Sequence, residues 1–212
     1  MKTIPQPVDN FTPGRLCQID FGVIHSICLN EKCDINVIMM ELVKPGTESY
    51  HYVIGRSGTI YETVHIKDVA WHCKTGVSPK QEVLSNLNKS TVGIALVGSI
   101  NDFYTSKQYE SLAALVVEIE SDVISNGLGF IGEWVGHDFV SGSLAYRAGY
   151  SEESVCDPGP KFDWEIFSRE RYRNKLLNEL IPEWRNKLKY ELETNYSVVD
   201  IFQLMWKKIC SR

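Results

Sequence analysis

Three side chains that are far apart in the sequence could bind one metal ion. His137 and Asp157 lie in residues 135–164, at the end of a predicted strand, and His25 lies near the end of another apolar run. A fold that places those two strands side by side would bring both imidazoles and the carboxylate together. Three such ligands with one open position are typical of catalytic zinc, whereas structural zinc usually has four protein ligands, mostly cysteine. The sequence therefore predicts one Zn²⁺ ion held by these three residues.

The chemistry expected of such a site is hydrolysis. Zinc lowers the pKa of a bound water to about 7 and polarises a carbonyl group that is under attack. The oxyanion that develops when an amide is attacked needs a further hydrogen-bond donor aimed at it. A catalytic reading therefore requires at least one donor beside the three ligands.

The elements that would position these ligands are strands of an α/β fold. Residues 21–28, FGVIHSIC, form a continuous apolar run that predicts a strand buried on both faces. Residues 91–100 predict a central strand, and residues 131–139 predict another, followed by a loop that carries the remaining ligands. Asp34 can cap a helix that Pro45 and the next glycine would end.

A hairpin and a long helix complete the predicted fold. Residues 50–64 contain two β-rich runs around a turn at residues 56–58. Thr105 and Gln108 form a capping-box pattern ahead of apolar residues at helical spacing, and the helix is expected to end at residues 126–127. These elements predict an α/β fold with a mixed central β-sheet flanked by helices.

Alternation along the hairpin gives a further expectation. In an extended strand, successive side chains point to opposite faces. Tyr50 and Tyr52 are therefore expected to share one face, with His51 on the other. His51 and His65 are interpreted as structural or exposed residues.

The chain divides into three predicted parts. Residues 1–20 are interpreted as an N-terminal arm, residues 21–167 as the main domain, and residues 168–212 as a helical C-terminal extension. The helices of the extension are expected to pack on the domain. Contact with a membrane surface is the alternative, supported by the Trp-Lys-Lys sequence at residues 206–208.

Composition excludes several classes of protein. The net charge of -5 argues against a general nucleic-acid surface, which needs a basic face. No apolar run is long enough to span a bilayer, and the first residues lack the apolar core of a secretory signal, so synthesis in the cytoplasm is expected. The six cysteines form no CxxC pair and are expected to be reduced.

The sequence around the predicted ligands resembles a known family. Gly-His-Asp at residues 136–138 is followed by Asp-Pro-Gly-Pro at 157–160 and Phe-Asp-Trp at 162–164. These motifs resemble the zinc-dependent N-acetylmuramoyl-L-alanine amidases, which include amidase-type phage lysozymes and peptidoglycan recognition proteins. The resemblance covers residues 21–167. It implies an amidase/peptidoglycan recognition protein-like sheet and hydrolysis of the amide between N-acetylmuramic acid and L-alanine in peptidoglycan.

The same resemblance implies roles for individual residues. Tyr50, in a Tyr-His-Tyr sequence, matches a tyrosine that assists catalysis in the family. Trp71 and His72 match an Ala-Trp-His segment that lines the substrate groove in relatives. Cys156 is the alternative third ligand, because relatives use cysteine at that position. Asp157 is preferred because it begins the aligned Asp-Pro-Gly-Pro string.

The sequence also departs from the family pattern. Val155 stands where many bacterial members have a lysine that steadies the oxyanion. Replacement donors are expected among Lys74, Arg147 and Lys161. Ala95 stands where recycling amidases have a glutamate, which favours the phage-lysozyme branch, and residues 138–156 form an insertion between the second and third ligands.

Three functions follow from these observations. The first is a phage-type endolysin that is made in the cytoplasm and acts on the cell wall after release. The second is a cytoplasmic amidase that recycles soluble muropeptides. The third is a non-catalytic peptidoglycan-binding or regulatory protein. The missing lysine favours this function, and the three intact metal ligands disfavour it. The expected partner is peptidoglycan or a muropeptide in each case.

Overall fold

The computed structural model describes residues 2–29 and 33–179. The strands and helices of these residues follow one another along the chain as β1 (Ile4–Pro5), β2 (Phe11–Thr12), β3 (Ile19–Ile27), α1 (Ile35–Leu42), β4 (Tyr52–Ile54), β5 (Ile60–Glu62), β6 (Val69–Ala70), β7 (Gly76–Val77), β8 (Val83–Leu84), a 3-10 helix (Leu87–Ser90), β9 (Thr91–Val97), α2 (Ser106–Ser125), β10 (Gly129–Gly136), α3 (His137–Ser141), α4 (Ser143–Arg147) and α5 (Trp164–Glu179).

The main sheet has six strands in the order β1-β5-β4-β9-β3-β10. Only β4 and β5 are antiparallel, and every other neighbouring pair is parallel. All seven residues of β9 are buried, because helices cover both faces of the sheet centre. The predicted α/β class with a mixed central sheet flanked by helices is confirmed.

Each face of the sheet has its own apolar core. On one face, Leu112 and Val116 of α2 pack with Ile94 of β9. On the other face, Ile38 and Leu42 of α1 lie in a second cluster with residues of the same central strands. The continuous apolar runs in β3 and β9 supply side chains to both clusters, which is why these two strands occupy the middle of the sheet.

The predicted helix caps and the hairpin are present. The Gln108 backbone N–H donates to Thr105 Oγ1 (3.1 Å), and the Thr105 N–H donates to Gln108 Oε1 (3.0 Å), which completes a capping box. The side chain of Asp34 accepts a hydrogen bond from the Asn36 N–H (2.8 Å) at the start of α1. Strands β4 and β5 pair as the predicted hairpin. Local capping and turn signals therefore placed these elements correctly.

Two local predictions near the site are wrong. The strand predicted over residues 131–139 ends at Gly136, because the Asp138 N–H donates to the Asp157 carbonyl (2.8 Å) instead of continuing the sheet. The chain then forms α3 and α4, which fill much of the predicted insertion. Tyr50 and Tyr52 also lie in different core clusters, because β4 begins only at Tyr52 and the chain bends at His51.

The expectation that all cysteines are reduced is also wrong. Cys28 and Cys33 form a disulfide, because the chain after β3 brings their Cα atoms to 4.6 Å, a separation that a disulfide can bridge. Among the other described cysteines, Cys73 is buried, and Cys17 and Cys156 are exposed thiols. The two cysteines are five positions apart and do not form a CxxC motif, so the sequence alone did not indicate that they pair.

Helix α5 crosses the predicted end of the main domain at residue 167. The later part of the predicted helical extension and its membrane-surface segment, residues 180–212, lie outside the described residues. The proposed division at residues 20 and 167 stays a prediction. Over residues 2–29 and 33–179, no helix combines the length and the apolar character needed to cross a bilayer.

Glu120 of α2 anchors α5 to the domain. Its carboxylate accepts hydrogen bonds from Trp134 Nε1 (2.9 Å) and Arg171 Nη2 (2.6 Å), and Lys175 Nζ lies 2.8 Å away. Glu120 is only 8% exposed, so the Glu120→Ala substitution would leave a buried indole N–H and a guanidinium without their acceptor. We expect a loss of about 2–3 kcal/mol in the free energy of unfolding, measured by urea denaturation.

Glu110→Ala is the matched control for this prediction. Glu110 lies on the same helix, but it is exposed. The control should therefore change the free energy of unfolding by no more than about 0.5 kcal/mol. Equal effects of the two substitutions would contradict the anchoring role of Glu120.

Candidate metal centre

The two histidines meet at the carboxyl edge of two parallel strands. Register pairs Ile24 of β3 with Gly136 of β10, and the residue that follows each of them in the chain is a histidine. The ring centroids of His25 and His137 consequently lie 4.5 Å apart. Parallel pairing of neighbouring strands thus joins two residues that are remote in the sequence.

Asp157 reaches the histidines from the loop that precedes α5. Its Oδ2 lies 3.1 Å from His25 Nδ1, and its Oδ1 lies 3.0 Å from His137 Nδ1. The loop is held by the Asp138 N–H bond to the Asp157 carbonyl and by a bond from Tyr104 Oη to the Pro158 carbonyl (2.7 Å). One donor atom from each of the three residues lies within 4.8 Å of the others, and Cys156 is not in the cluster.

The electrostatics of these residues suit a cation. Burial and the nearby His137 lower the pKa of His25 to about 4, against the opposing effect of Asp157. Burial alone would raise the pKa of Asp157, but the adjacent imidazoles of His137 and His25 outweigh it and hold that pKa well below its usual range. At neutral pH the site therefore offers an ionised carboxylate and a neutral His25 imidazole, the protonation states that metal ligands need.

The donor set fits zinc. Zinc binds imidazole nitrogen and carboxylate oxygen at about 2.0–2.2 Å in tetrahedral sites, so neighbouring ligand atoms are roughly 3.3 Å apart. The separations of 3.0 and 3.1 Å between Asp157 and the two imidazoles are close to that value. Three protein ligands leave one position for water or substrate, as catalytic zinc requires.

A cavity of about 860 Å³ opens onto these residues. This volume is within the usual range for small-molecule sites. Its wall includes the three metal-binding candidates together with Glu48, Tyr50, Asp102, Glu153 and Val155. The described residues contribute no lysine or arginine to this wall, so none of them is a cationic replacement for the missing lysine there.

Tyr50 and Glu48 form a hydrogen-bonded pair in the cavity. Tyr50 is 3% exposed, and its ring centroid lies 5.1 Å from that of His25. Burial and the adjacent Glu48 raise the pKa of Tyr50 well above its usual value, so its hydroxyl stays protonated. The hydrogen bond to Glu48 means that this hydroxyl donates to the carboxylate.

Glu48 was missed by sequence reasoning. The residue as a whole is exposed to the cavity, but the surrounding protein reduces the solvation of its carboxylate and raises its pKa. The hydrogen bond from Tyr50 opposes that rise. One signal could have found it, because Glu48 precedes Tyr50 by two residues and side chains two apart in an extended chain share a side.

Ala95 and Val155 supply no polar side-chain group to the site. Ala95 pairs in register with His25 and is fully buried, so it contributes no polar group beside the metal-binding candidates. Val155 lines the cavity but has no side-chain donor. Glu48, in contrast, places a carboxylate in the cavity wall beside Tyr50, and it is not one of the candidate metal ligands.

His72 lies behind the site. It is 5% exposed, and its Nδ1 is 3.0 Å from His25 Nε2. Burial, together with the neighbouring histidines His25 and His51, lowers the pKa of His72 well below its usual value. Cys73 Sγ lies 3.2 Å from the same His72 nitrogen. The predicted contact of His72 with substrate finds no support in this buried placement.

The remaining predicted substrate contacts lie outside the cavity wall. Trp71 is 38% exposed and donates its Nε1–H to Thr12 Oγ1 (3.0 Å), and Lys74 pairs with Glu153. Lys161 lies over the ring of Phe103, and Arg147 is an exposed residue at the end of α4. Their roles stay predictions.

His51 is structural, as expected. It is fully buried, and its Nδ1 accepts a hydrogen bond from the Gly93 N–H (3.0 Å). Its Nε2 lies 2.7 Å from a guanidinium nitrogen of Arg15. Burial and this arginine lower the pKa of His51 to about 3, so the ring is neutral at physiological pH.

Two imidazoles and a carboxylate beside an open cavity, at the carboxyl edge of a mixed sheet, are the arrangement of a catalytic metal centre. A family model described as N-acetylmuramoyl-L-alanine amidase matches residues 16–159. The chain therefore belongs to the N-acetylmuramoyl-L-alanine amidase family.

Curated relatives carry a more specific description. The 1,6-anhydro-N-acetylmuramyl-L-alanine amidase AmpD of Citrobacter freundii is 32% identical over 119 residues, which are 56% of this chain and 54% of the relative. AmpD of Haemophilus influenzae is 34% identical over 119 residues, 56% of each chain. The chain thus spans about half the length of the curated relatives it matches.

Solved structures share the fold. A crystal structure of a selenomethionine AmpD derivative has a TM-score of 0.57 at 22% identity, and the match covers 79% of this chain and 93% of that one. AmpDh3 from Pseudomonas aeruginosa, solved in complex with an anhydromuramic pentapeptide, has a TM-score of 0.51 at 19% identity, with 81% and 71% covered. The endolysin LysCS from Clostridium intestinale has a TM-score of 0.50 at 20% identity, with 82% and 95% covered.

Proposed function

We propose that this protein hydrolyses the amide bond between N-acetylmuramic acid and L-alanine, with one zinc ion held by His25, His137 and Asp157. The observation that carries this proposal is the convergence of those three side chains on one point of an open cavity. Family membership supports the choice of bond, since residues 16–159 match the amidase model. The geometry supports the choice of a metal, since the donor types and separations suit zinc.

The chain's own residues would divide the remaining work. Zinc, when bound, supplies a Lewis acid that polarises the amide carbonyl and makes water more acidic. Tyr50 keeps its proton, so its hydroxyl can turn from Glu48 and donate to the oxyanion that develops on the carbonyl oxygen. Glu48 sits on the same wall and can accept a proton from the attacking water and return it to the leaving amine. Tyr50 and Glu48 would thereby replace the lysine and the glutamate that relatives have at the positions of Val155 and Ala95.

We propose a soluble 1,6-anhydro-muropeptide as the preferred substrate. The AmpD relatives favour the recycling interpretation over the endolysin that Ala95 suggested, since they are named for amidase activity on 1,6-anhydro-N-acetylmuramyl-L-alanine. The likeness to LysCS supports a shared fold only, at 20% identity. A cytoplasmic location would suit this substrate and belongs to the same proposal.

The test compares two substrates under metal control. Purified protein should release free L-alanyl stem peptide from 1,6-anhydro-N-acetylmuramyl peptide much faster than from purified sacculi, as followed by liquid chromatography and mass spectrometry. A chelator should stop the release, and added zinc should restore it. Faster release from sacculi would favour the endolysin, and binding without release from either substrate would favour the non-catalytic protein.

A further inference from the structure

A line of buried polar side chains leads from the start of β9 to the metal centre. Thr91 Oγ1 lies 2.8 Å from the Leu87 carbonyl oxygen and 3.2 Å from His72 Nε2. His72 Nδ1 lies 3.0 Å from His25 Nε2, and His25 Nδ1 faces Asp157 Oδ2 at 3.1 Å. Thr91, His72 and His25 are each no more than 5% exposed, so water cannot replace these contacts.

The direction of each hydrogen bond follows from the number of protons available. A carbonyl oxygen can only accept, so the single hydroxyl proton of Thr91 is donated to Leu87. Thr91 Oγ1 must then accept the Nε2–H of His72. A neutral imidazole carries one N–H, which leaves His72 Nδ1 as an acceptor.

The same reasoning continues to the metal centre. His72 Nδ1 accepts the Nε2–H of His25, so the other nitrogen of His25, Nδ1, carries a lone pair. The thiol of Cys73, 3.2 Å from His72 Nδ1, agrees with this direction because a thiol is a weak donor. His25 Nδ1 and the carboxylate oxygen Asp157 Oδ2 are thus two acceptors that face each other, an arrangement that a cation between them would satisfy.

We propose that Thr91 and His72 are positioning residues that fix the tautomer of His25 so that its Nδ1 lone pair faces the zinc position. This inference rests on the proposed metal site, and it assigns to His72 a role other than substrate contact. A hydrogen bond to the distant nitrogen of a metal-binding histidine orients the ring and makes it a better ligand. The hydroxyl of Thr91 begins this chain of hydrogen bonds, although it touches neither metal nor substrate.

Packing keeps His72 in this position. A Cβ atom at Gly93 would lie 2.5 Å from His72 Cγ, so only glycine leaves room for the ring beside β9. The backbone N–H of His72 also donates to Asn88 Oδ1 (3.0 Å). Ring and backbone are therefore both held, and the hydroxyl of Thr91 decides which nitrogen carries the proton.

The test compares Thr91→Val with Thr91→Ser in the full-length chain. Valine keeps the shape of threonine but has no hydroxyl, whereas serine keeps the hydroxyl. We expect Thr91→Val to weaken zinc binding about 10–100-fold, as measured by competition with a chromogenic chelator. Thr91→Ser should retain an affinity close to that of the unsubstituted protein, and equal affinities for the two variants would overturn the proposal.

A second measurement needs no substitution. Long-range ¹H–¹⁵N correlation spectra of the zinc-free protein should show the proton of His25 and that of His72 on Nε2. A proton on Nδ1 of either ring would overturn the proposal, as would a zinc ion bound at the inner His25-His72-Cys73 cluster, since that ion would need the His25 Nε2 lone pair. None of these readouts depends on amide hydrolysis, so they remain informative even if the proposed reaction fails.

Discussion

Replacing Asp157 with asparagine should remove zinc binding and amidase activity together. Asparagine keeps the shape of the side chain but removes the negative charge that faces both His25 and His137. Because loss of an outer hydrogen-bond partner already costs 10–100-fold in metal affinity, we expect loss of a ligand charge to cost on the order of 10²-fold or more. Metal content by mass spectrometry and release of stem peptide are the measurements.

Cys156→Ser is the matched control for this substitution. Cys156 is adjacent to Asp157, but its thiol is exposed and lies outside the metal-binding cluster. The control should therefore retain both zinc and activity. Loss of zinc in Cys156→Ser, with retention in Asp157→Asn, would move the third ligand to the cysteine and contradict our assignment.

Replacing Glu48 with glutamine should lower kcat by about 10²–10⁴-fold, the usual contribution of a general acid or base. Glutamine can still accept a hydrogen bond from Tyr50, but it cannot take up a proton. Zinc affinity should change little, because Glu48 is not in the metal-binding cluster. Steady-state kinetics on the muropeptide, beside a zinc competition assay, would separate the two effects.

The pH profile gives this prediction a second readout. Glu48 is active as a base only when ionised, and its pKa is raised above the ordinary value by poor solvation. Activity of the unsubstituted protein should consequently rise with pH through that raised pKa, and Glu48→Gln should lack this acidic limb. A full acidic limb in the variant would show that another group accepts the proton.

Tyr50→Phe completes a double-substitution cycle with Glu48→Gln. Removing the donor of an oxyanion contact typically lowers kcat by about 10²–10³-fold. Since the hydroxyl and the carboxylate are hydrogen-bonded to each other, the two effects should not add in the double variant. Strictly additive effects would mean that the two residues act independently.

The sequence was sufficient for the residues whose signals are local. Asp34 and Thr105 indicated where two helices begin, because a helix cap depends only on the three residues that follow it. The continuous apolar runs of β3 and β9 indicated central strands, because a strand covered on both faces can be apolar throughout. His25, His137 and Asp157 were named from a local string and from their chemistry, and the structure places their side chains together.

Only the tertiary structure decided the surroundings of those residues. Register between β3 and β10 set His25 beside His137, and a bend at His51 turned Tyr50 to the cavity, where Glu48 accepts its hydrogen bond. The inward placement of His72 depends on the space that Gly93 leaves. Such contacts join positions that are far apart along the chain, and no local pattern encodes them. They arise from strand pairing and close packing, which exist only when the whole sheet has formed.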